Sequence, residues 1–362
     1  MQLNTVNPNI QKSETLPADF YSNLTIWEAM KEKIFAPSWQ YLGDRQSFFG
    51  GQETIFPITL LDKYLDEPLL LTQDEDEKIR CLSNVCTHRG FLLAQHPAKH
   101  RKIICGYHGR RFNLSGKMEH MPEFKDAEGF PRSCDHLHEL PLRQWRQFLF
   151  TSLESNIDWE IIAEELDRRL SFLPIEQFRY APEYSTEYMV HAHWALYCDN
   201  YLEGFHIPFV HHQLNQMLDY STYDTEVFPH MNLQIGYSSV EGEHFQLPPE
   251  HPDYGKKITA FYYWIFPNLM LNFYPWGLSI NVVRPLNPSL SRISFITYLY
   301  DEEKFLEMDA AALTDKVERE DEFVVEGVQK GLRSRFYKTG RFSPRREKGV
   351  HHFHSLLQQA LS

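Results

Sequence analysis

The sequences C-T-H-R-G at residues 86–90 and C-G-Y-H-G at residues 105–109 decide the fold, because each places one cysteine and one histidine in a short loop. Sixteen residues lie between His88 and Cys105. A structural zinc ion is usually bound through C-x₂₋₄-C and H-x₃₋₅-H spacings, and neither spacing occurs here. The pattern therefore favours a metal centre that takes one thiolate and one imidazole from each loop, with a zinc ion on the same residues as the alternative.

A Rieske [2Fe–2S] centre uses this ligand set, with two cysteines on one iron and two histidines on the other. The two loops resemble those of the Rieske domain and, within it, those of the Rieske non-haem iron oxygenases. We therefore expect Cys86, His88, Cys105 and His108 to hold a [2Fe–2S] cluster. Members of that family usually carry tryptophan after the second H-G, whereas this chain has Arg110. The substitution leaves the ligands unchanged and is expected to alter the packing under the cluster.

Length and composition restrict the class of protein. The 362 residues suffice for two domains or one large one, and 42% of them are hydrophobic. A net charge of −13 argues against nucleic-acid or anionic-membrane partners. The polar stretch 1–16 has no secretory signal, and no apolar run approaches the ~20 residues of a membrane span. We expect a cytoplasmic protein without a membrane partner, in which Cys81, Cys134 and Cys198 are buried, reduced thiols.

The hydrophobic pattern changes along the chain. Residues 24–37 have helical spacing that ends at Pro37, and short β-type runs follow at 53–61, 69–71, 102–105 and 148–151. Beyond residue 155 the pattern predicts extended chain over 180–197, a helix over 199–206, aromatic-rich strands over 261–285 and one or two amphipathic helices over 301–335. The three histidines near the C-terminus are interpreted as a solvated surface cluster: His351, His352 and His354.

These elements predict an α+β protein of two domains. A small all-β Rieske domain is expected over residues 39–152. Residues 1–38 and 153–362 are expected to form a larger catalytic domain of antiparallel sheet and helices, for which the family resemblance implies the helix-grip type.

The segment E-G-F-H-I-P-F-V-H at residues 203–211 is the candidate for a second metal site. Two histidines and one carboxylate on one face of Fe(II) are the ligands of non-haem iron oxygenases. On a helix Glu203 and His206 would share a face, whereas His211 would point ~140° away from His206. Pro208 lies between the two histidines and predicts that the helix ends or kinks there, and a kink would bring His211 back. The neighbouring His212 is the alternative ligand.

The third ligand is expected from the acidic helix over residues 315–335. On a helical wheel Asp321 falls near the centre of an apolar stripe, where an unpaired carboxylate would be costly. Glu318 lies at the border of the stripe, and Glu320, Glu322 and Glu326 lie outside it. The stripe consists of Val317, Val324, Val325, Val328 and Leu332. Asp321 is therefore predicted to complete the iron site with His206 and His211.

The family resemblance implies a role for Glu203, because the spacing E-x₂-H-x₄-H resembles the mononuclear-iron motif of Rieske oxygenases. By that resemblance Glu203 is not a ligand; it links His206 to His108 of a neighbouring subunit and couples electron and proton passage, in a homotrimer. The resemblance also implies O₂ as co-substrate and electrons from NAD(P)H, delivered by a separate flavin/iron–sulfur reductase or a ferredoxin.

The substrate class is suggested by the same resemblance. Oxygenases of quaternary ammonium compounds, of the choline, carnitine and betaine types, often carry glutamate at the bridging position, and residues 198–211 and 266–276 resemble theirs. The aromatic residues over 261–276 could bind an ammonium group by cation–π attraction or form core. An aromatic-ring hydroxylating dioxygenase is the alternative enzyme. A Rieske electron-transfer protein and a zinc-binding protein are the alternatives without catalysis.

Overall fold

A computed structural model of the chain describes residues 6–240 and 242–362. The first five residues of the polar N-terminal stretch lie outside the described residues. The chain divides into two compact units, one over residues 36–156 and the other formed by the residues before and after it. Of the described helices, none is long and apolar enough to cross a membrane.

The unit over residues 36–156 is built from short antiparallel strands in three sheets, with one helix at Arg45–Phe49 and a 3₁₀ turn at Ser133–Asp135. In sheet order, the strands are Gln40–Asp44, Phe148–Thr151 and Leu142–Trp145 in the first; Ile55–Leu60, Glu67–Gln73, Ile79–Ser83 and Glu139–Leu140 in the second; and Lys102–Ile104, Arg111–Asn113 and Met118–His120 in the third. Leu70, Leu82 and Phe112 form its core together with Cys86 and Cys105. The two loop cysteines are thus part of the packed interior.

The second unit is an antiparallel sheet with helices. Its strands run, in sheet order, Arg179–Tyr180, Leu290–Leu299, Gly277–Asn287, Leu269–Tyr274, Ile258–Ile265, Met231–Tyr237 and Asp224–Phe228, and Thr186–Val190 also pairs with Leu290–Leu299. Its helices are Leu24–Met30, followed by a π-helical turn at Lys31–Phe35, then Trp159–Leu170, Trp194–Tyr201, Ile207–Val210, Leu214–Met217, Glu302–Glu307, Ala310–Gly331 and Lys348–Leu361. Short 3₁₀ turns lie at Ile10–Lys12, Ala18–Tyr21, Ile175–Gln177 and Pro182–Tyr184. The predicted α+β class is confirmed.

Two local predictions in this unit were wrong. Residues 194–197 are helical rather than extended, because the helix Trp194–Tyr201 is buried on almost every side and has no amphipathic period to reveal it. Its start is capped by the buried His193, whose Nδ1 accepts a hydrogen bond from the Ala195 amide at 3.2 Å. The helix predicted over 199–206 ends at Tyr201, and Glu203 and His206 lie in the turn that follows.

Two predictions of exposure were also wrong. Cys134 is exposed, whereas Cys81 and Cys198 are buried as expected. His354 is buried, since it shares the inward stripe of its helix with Phe353 and Leu357. Its Nδ1 accepts from the Leu16 amide at 3.1 Å and its Nε2 lies 2.8 Å from Asp199 Oδ1. His351 and His352 are only partly exposed, so these histidines are not a solvated cluster.

Candidate metal centres and substrate cavity

The two Cys/His loops have the same backbone geometry. The Cys86 amide donates to the Phe91 carbonyl at 2.8 Å, and the Gly90 amide donates to the Cys86 carbonyl at 3.0 Å. The second loop repeats this pattern, from Cys105 to the Arg110 carbonyl and from Gly109 to the Cys105 carbonyl, at 2.8 and 3.0 Å. Gly90 and Gly109 have φ angles of +71° and +73°, which glycine adopts without steric cost. This shared geometry explains why each loop ends in glycine.

The side chains of these loops present their donors at one tip of the unit. Cys86 and Cys105 are 2% exposed, whereas His88 is half-buried, His108 is exposed and their ring centroids lie 4.9 Å apart. Burial, followed by the charges of His108 and Arg110, lowers the pKa of His88, which favours the neutral imidazole that binds metals. Two buried thiols and two outer imidazoles fit a cluster whose cysteine-bound iron is buried and whose histidine-bound iron faces outward.

In the second unit three predicted ligands converge on one point. His206 Nε2 lies 3.1 Å from His211 Nε2 and 3.4 Å from Asp321 Oδ1, and His211 Nε2 lies 3.0 Å from that same oxygen. In an octahedral site with bonds of about 2.1 Å, ligand atoms on one face are about 3 Å apart. The three donor atoms therefore have the spacing of a facial triad.

A short helix brings the two histidines together. His206 precedes the helix Ile207–Val210 and His211 follows it, so both side chains leave the backbone at its two ends. Pro208 occupies the second helical position, where its missing amide hydrogen costs nothing. The Glu203 carboxylate accepts from the amides of Phe205 and His206 and fixes the preceding turn. The proline thus lies at the start of a new helix, whereas the sequence predicted that it would end or kink an existing one.

Each histidine of the triad is also oriented by a carboxylate. His206 Nδ1 lies 2.7 Å from Glu203 Oε1, and His211 Nδ1 lies 2.7 Å from Glu320 Oε2. A carboxylate accepts, so both Nδ1 atoms carry a proton and both Nε2 atoms point to the common centre, where they would bind a metal ion. Metal-binding histidines are held in this way by their second nitrogen. Glu320 was not predicted; its position beside Asp321 was the only sequence signal for it.

The protonation of the metal-free triad also favours a cation. Against the effect of burial, hydrogen bonds to Asp321 and Glu203 raise the pKa of His206 to about 10. Burial would raise the pKa of Asp321, but its hydrogen bonds to His206 and His211 lower it to about 2. A proton therefore sits where a metal ion would sit, and a metal would replace it. The donor set, its spacing and its charge all fit a divalent iron.

The rival residues lie elsewhere. His212 is exposed, and Glu326 accepts from the His191 amide at 2.9 Å. Glu318 lines the interior and accepts a hydrogen bond from the Tyr197 hydroxyl. The predicted apolar stripe was wrong at Val328, which is 44% exposed, because the helix turns Gln329 inward; Val325 is buried as predicted.

A cavity of about 140 Å³ adjoins the triad. Six aromatic side chains line its wall together with aliphatic ones: Tyr197, Tyr201, Tyr223, Tyr262, Tyr274 and Trp276. The aromatic residues over 261–276 are divided between the cavity and the core, because side chains alternate along a strand. Tyr262 and Tyr274 face the cavity. The residues beside them in sequence are fully buried in the core: Phe261, Tyr263 and Phe273. Carboxyl groups of Glu203, Glu318 and Asp321 also line the cavity, and among its described lining residues there is no lysine or arginine.

Comparison with known proteins identifies the family of both units. Residues 177–362 match the family described as the ring hydroxylating alpha subunit (catalytic domain), and residues 52–137 match the Rieske [2Fe-2S] domain. Choline monooxygenase of Arabidopsis thaliana, a chloroplastic protein, is 28% identical over 97% of this chain and 84% of its own length. The carnitine monooxygenase oxygenase subunit of Escherichia coli K12 is 26% identical over 97% of this chain and 95% of its own.

The fold is also that of a solved oxygenase. The structure of a quaternary ammonium Rieske monooxygenase, described as giving insights into carnitine oxidation and inter-subunit electron transfer, superposes with a TM-score of 0.75 at 23% identity, over 98% of this chain and 97% of that one. The match over residues 177–362 takes in more than half of the chain. This protein belongs to the ring-hydroxylating alpha-subunit family, the Rieske non-haem iron oxygenases that carry a [2Fe–2S] cluster and a mononuclear iron.

Proposed function

We propose that this chain is the oxygenase component that hydroxylates a small quaternary ammonium compound next to nitrogen, so that the C–N bond is then lost. The observation that carries the proposal is the cavity beside the triad, in which aromatic rings and carboxyl groups occur without a lysine or arginine among the described lining residues. Such a wall attracts a cation and repels an anion.

The metal ligands follow from the two geometries described above. Cys86, His88, Cys105 and His108, within residues 39–152, would hold the cluster; His206, His211 and Asp321, in the remainder of the chain, would hold the iron. When bound, the cluster supplies one-electron transfer and the iron supplies activation of O₂. The protein's own part is to orient His206 and His211 through Glu203 and Glu320 and to hold the substrate beside them.

Aromatic faces provide the site for the ammonium group. Tyr274 and Trp276 stack with centroids 4.9 Å apart, and Tyr262 meets Tyr274 edge-on at 5.8 Å. A trimethylammonium group cannot donate hydrogen bonds, so it is recognised by ring faces at about 0.5–2 kcal/mol each. These three rings border the cavity, where they are available to such a group.

Glu318 supplies a counter-charge. Burial first, and then the charge of Asp321, raise the pKa of its carboxyl well above the usual range, while the hydrogen bond from Tyr197 opposes the shift. A cation bound in the cavity would favour the ionised carboxylate. Because an ionised Glu318 would repel the anionic end of a zwitterion, we propose that choline-like cations fit better than carnitine or betaines, which carry a carboxylate.

An aromatic-ring dioxygenase is the competing function. The aromatic rings of the wall suit a neutral ring as well as an ammonium group, but the carboxyl group of Glu318 disfavours benzoate-like acids. The substrate screen below separates the two functions.

The neighbouring subunit is the proposed partner. Phe209 and Phe323 are 72% and 81% exposed in the unit that holds the triad, and together they border one shallow surface groove. The other unit exposes Tyr107 to 54% beside His108. Because each unit exposes an apolar surface, the surface of one unit could pack against that of the other unit in the next subunit. Repeated head to tail, this contact would form a closed ring, which we propose to be a homotrimer. In it Glu203, bound to His206, would receive His108 of the neighbouring subunit, and a separate reductase or ferredoxin would supply electrons from NAD(P)H.

The proposal is tested by substrate-dependent O₂ uptake of the protein with a flavin/iron–sulfur reductase and NADH. Choline, carnitine, glycine betaine, benzoate and naphthalene are compared at equal concentration. We expect the greatest stimulation by choline, less by the two zwitterions and none by benzoate. Hydroxylation of naphthalene without any response to the ammonium compounds would establish the dioxygenase instead.

A further inference from the structure

Arg110 occupies a buried position between the two cluster loops. Its side chain is 2% exposed, and its Nη1 donates to Thr87 Oγ1 at 2.7 Å while its Nη2 donates to Asp135 Oδ1 at 3.3 Å. Thr87 lies between the predicted ligands Cys86 and His88. The Arg110 carbonyl accepts from the Cys105 amide at 2.8 Å. One residue is therefore bonded to both ligand loops.

The surroundings of this guanidinium exclude water. Its central carbon lies 5.9 and 5.4 Å from the ring centroids of Phe124 and Phe130, and the Phe124 ring meets His88 edge-on at 5.6 Å. Asp135 is only 8% exposed, and its second oxygen accepts from the Arg132 amide at 2.8 Å. A charge in such a place is weakly screened and acts over several ångströms.

The Arg110–Asp135 pair has a fixed orientation. Nη1 of Arg110 is bonded to Thr87, between Cys86 and His88, whereas Nη2 is bonded to Asp135. The positive end of the pair therefore lies against the loop that carries Cys86 and His88.

We propose that Arg110 is a positioning residue that raises the reduction potential of the cluster, and that Asp135 limits this effect. Reduction adds one negative charge to the cluster, which a buried cation stabilises. Net charge near the cluster is one of the properties that set the potential of iron–sulfur centres. Arg110 has this effect without binding iron or substrate.

The test is a redox titration of the purified holoprotein, followed by the visible circular dichroism of the cluster. Arg110→Met should lower the midpoint potential by about 59 mV, a tenfold change in the one-electron equilibrium. Asp135→Asn, which leaves Arg110 unpaired, should raise it. Arg110→Lys, which keeps the charge, should stay nearer to the wild type than Arg110→Met.

Arg132→Met is the matched control, because this arginine also contacts Asp135 but its side chain is 69% exposed. Its potential should equal that of the wild type. Potentials that fall in both Arg110→Met and Asp135→Asn would show a purely structural role and overturn the proposal. If Arg110→Met does not retain the cluster, the potential of Asp135→Asn tests the proposal by itself. An unchanged potential in Asp135→Asn would then reject the proposal. The outcome is independent of the substrate, so it stands apart from the proposed function.

Discussion

Glu320 is the carboxylate whose removal should most selectively weaken the iron site. Its Oε2 lies 2.7 Å from Nδ1 of His211, whose side chain is 1% exposed. Glu320→Gln replaces a charged acceptor by a neutral amide and keeps nearly the same volume. His211 then loses the partner that fixes its tautomer and makes its Nε2 a stronger donor to a metal.

The expected loss of Fe(II) affinity in Glu320→Gln follows from this geometry. Loss of such a carboxylate typically weakens metal affinity by about 10- to 100-fold, or about 1.4 to 2.7 kcal/mol. Glu320 is 28% exposed, so water screens part of its charge. We therefore expect the lower end, an increase of about tenfold in the Kd for Fe(II). The visible spectrum of the cluster should not change, because its ligands lie in the other unit.

The assay is an anaerobic Fe(II) titration after a mild chelator has removed the mononuclear iron. Glu322→Gln is the matched control, since it removes an acid from the same helix that makes no contact with the triad. A Kd in Glu320→Gln equal to that of the wild type would refute the reasoning. So would an equal weakening in Glu322→Gln, which would point to the net charge of the helix.

Four further outcomes are expected. Fe(II) binding should release about one proton at neutral pH and tighten as pH rises towards 10, because the raised pKa of His206 keeps that imidazole protonated in the metal-free site. Calorimetry in buffers of different ionisation enthalpy measures the number of protons released. Binding without proton release would contradict the prediction. Glu203→Gln should keep an acceptor for His206 and hence both metals, yet stop turnover, and normal O₂ uptake would exclude the bridging role. Glu318→Gln should raise the KM for choline about tenfold and leave binding of the neutral analogue 3,3-dimethylbutan-1-ol unchanged; in the wild type that KM should fall as pH rises, because the raised pKa leaves the empty cavity's carboxyl partly protonated. Phe209→Glu should dissociate the trimer in light scattering, whereas Phe336→Glu, at a residue 91% exposed, should not.

The spacing of the candidate ligands along the chain was the main basis for predicting the two metal sites. It identifies ligands even where the helix or strand around them is predicted incorrectly. The Cys/His loops placed four donors at one tip, and E-x₂-H-x₄-H placed two histidines on one centre, although the predicted helix across residues 199–206 ends at Tyr201. Asp321 was selected because a carboxylate on an apolar helix face needs a partner. The structure brings it within 3.4 Å of both imidazoles.

Contacts between distant segments could not be predicted in this way. The buried carboxyl of Glu318 accepts a hydrogen bond from Tyr197, which lies 121 residues away in sequence. The buried imidazole of His354 contacts Asp199, 155 residues away. A helical wheel describes one helix and does not show which neighbour covers which face. For this reason it placed Val328 inside and missed Glu320. The division of the aromatic strands between cavity and core likewise required the strand register.

The iron and acid-labile sulfide content of the wild type and of Asp321→Ala, measured side by side, tests the metal assignment most directly. We expect about three irons and two sulfides per chain in the wild type, and about two of each in Asp321→Ala with an unchanged brown cluster spectrum. Three irons retained in Asp321→Ala would show that another residue completes the mononuclear site. Zinc without sulfide in the wild type would contradict the whole account.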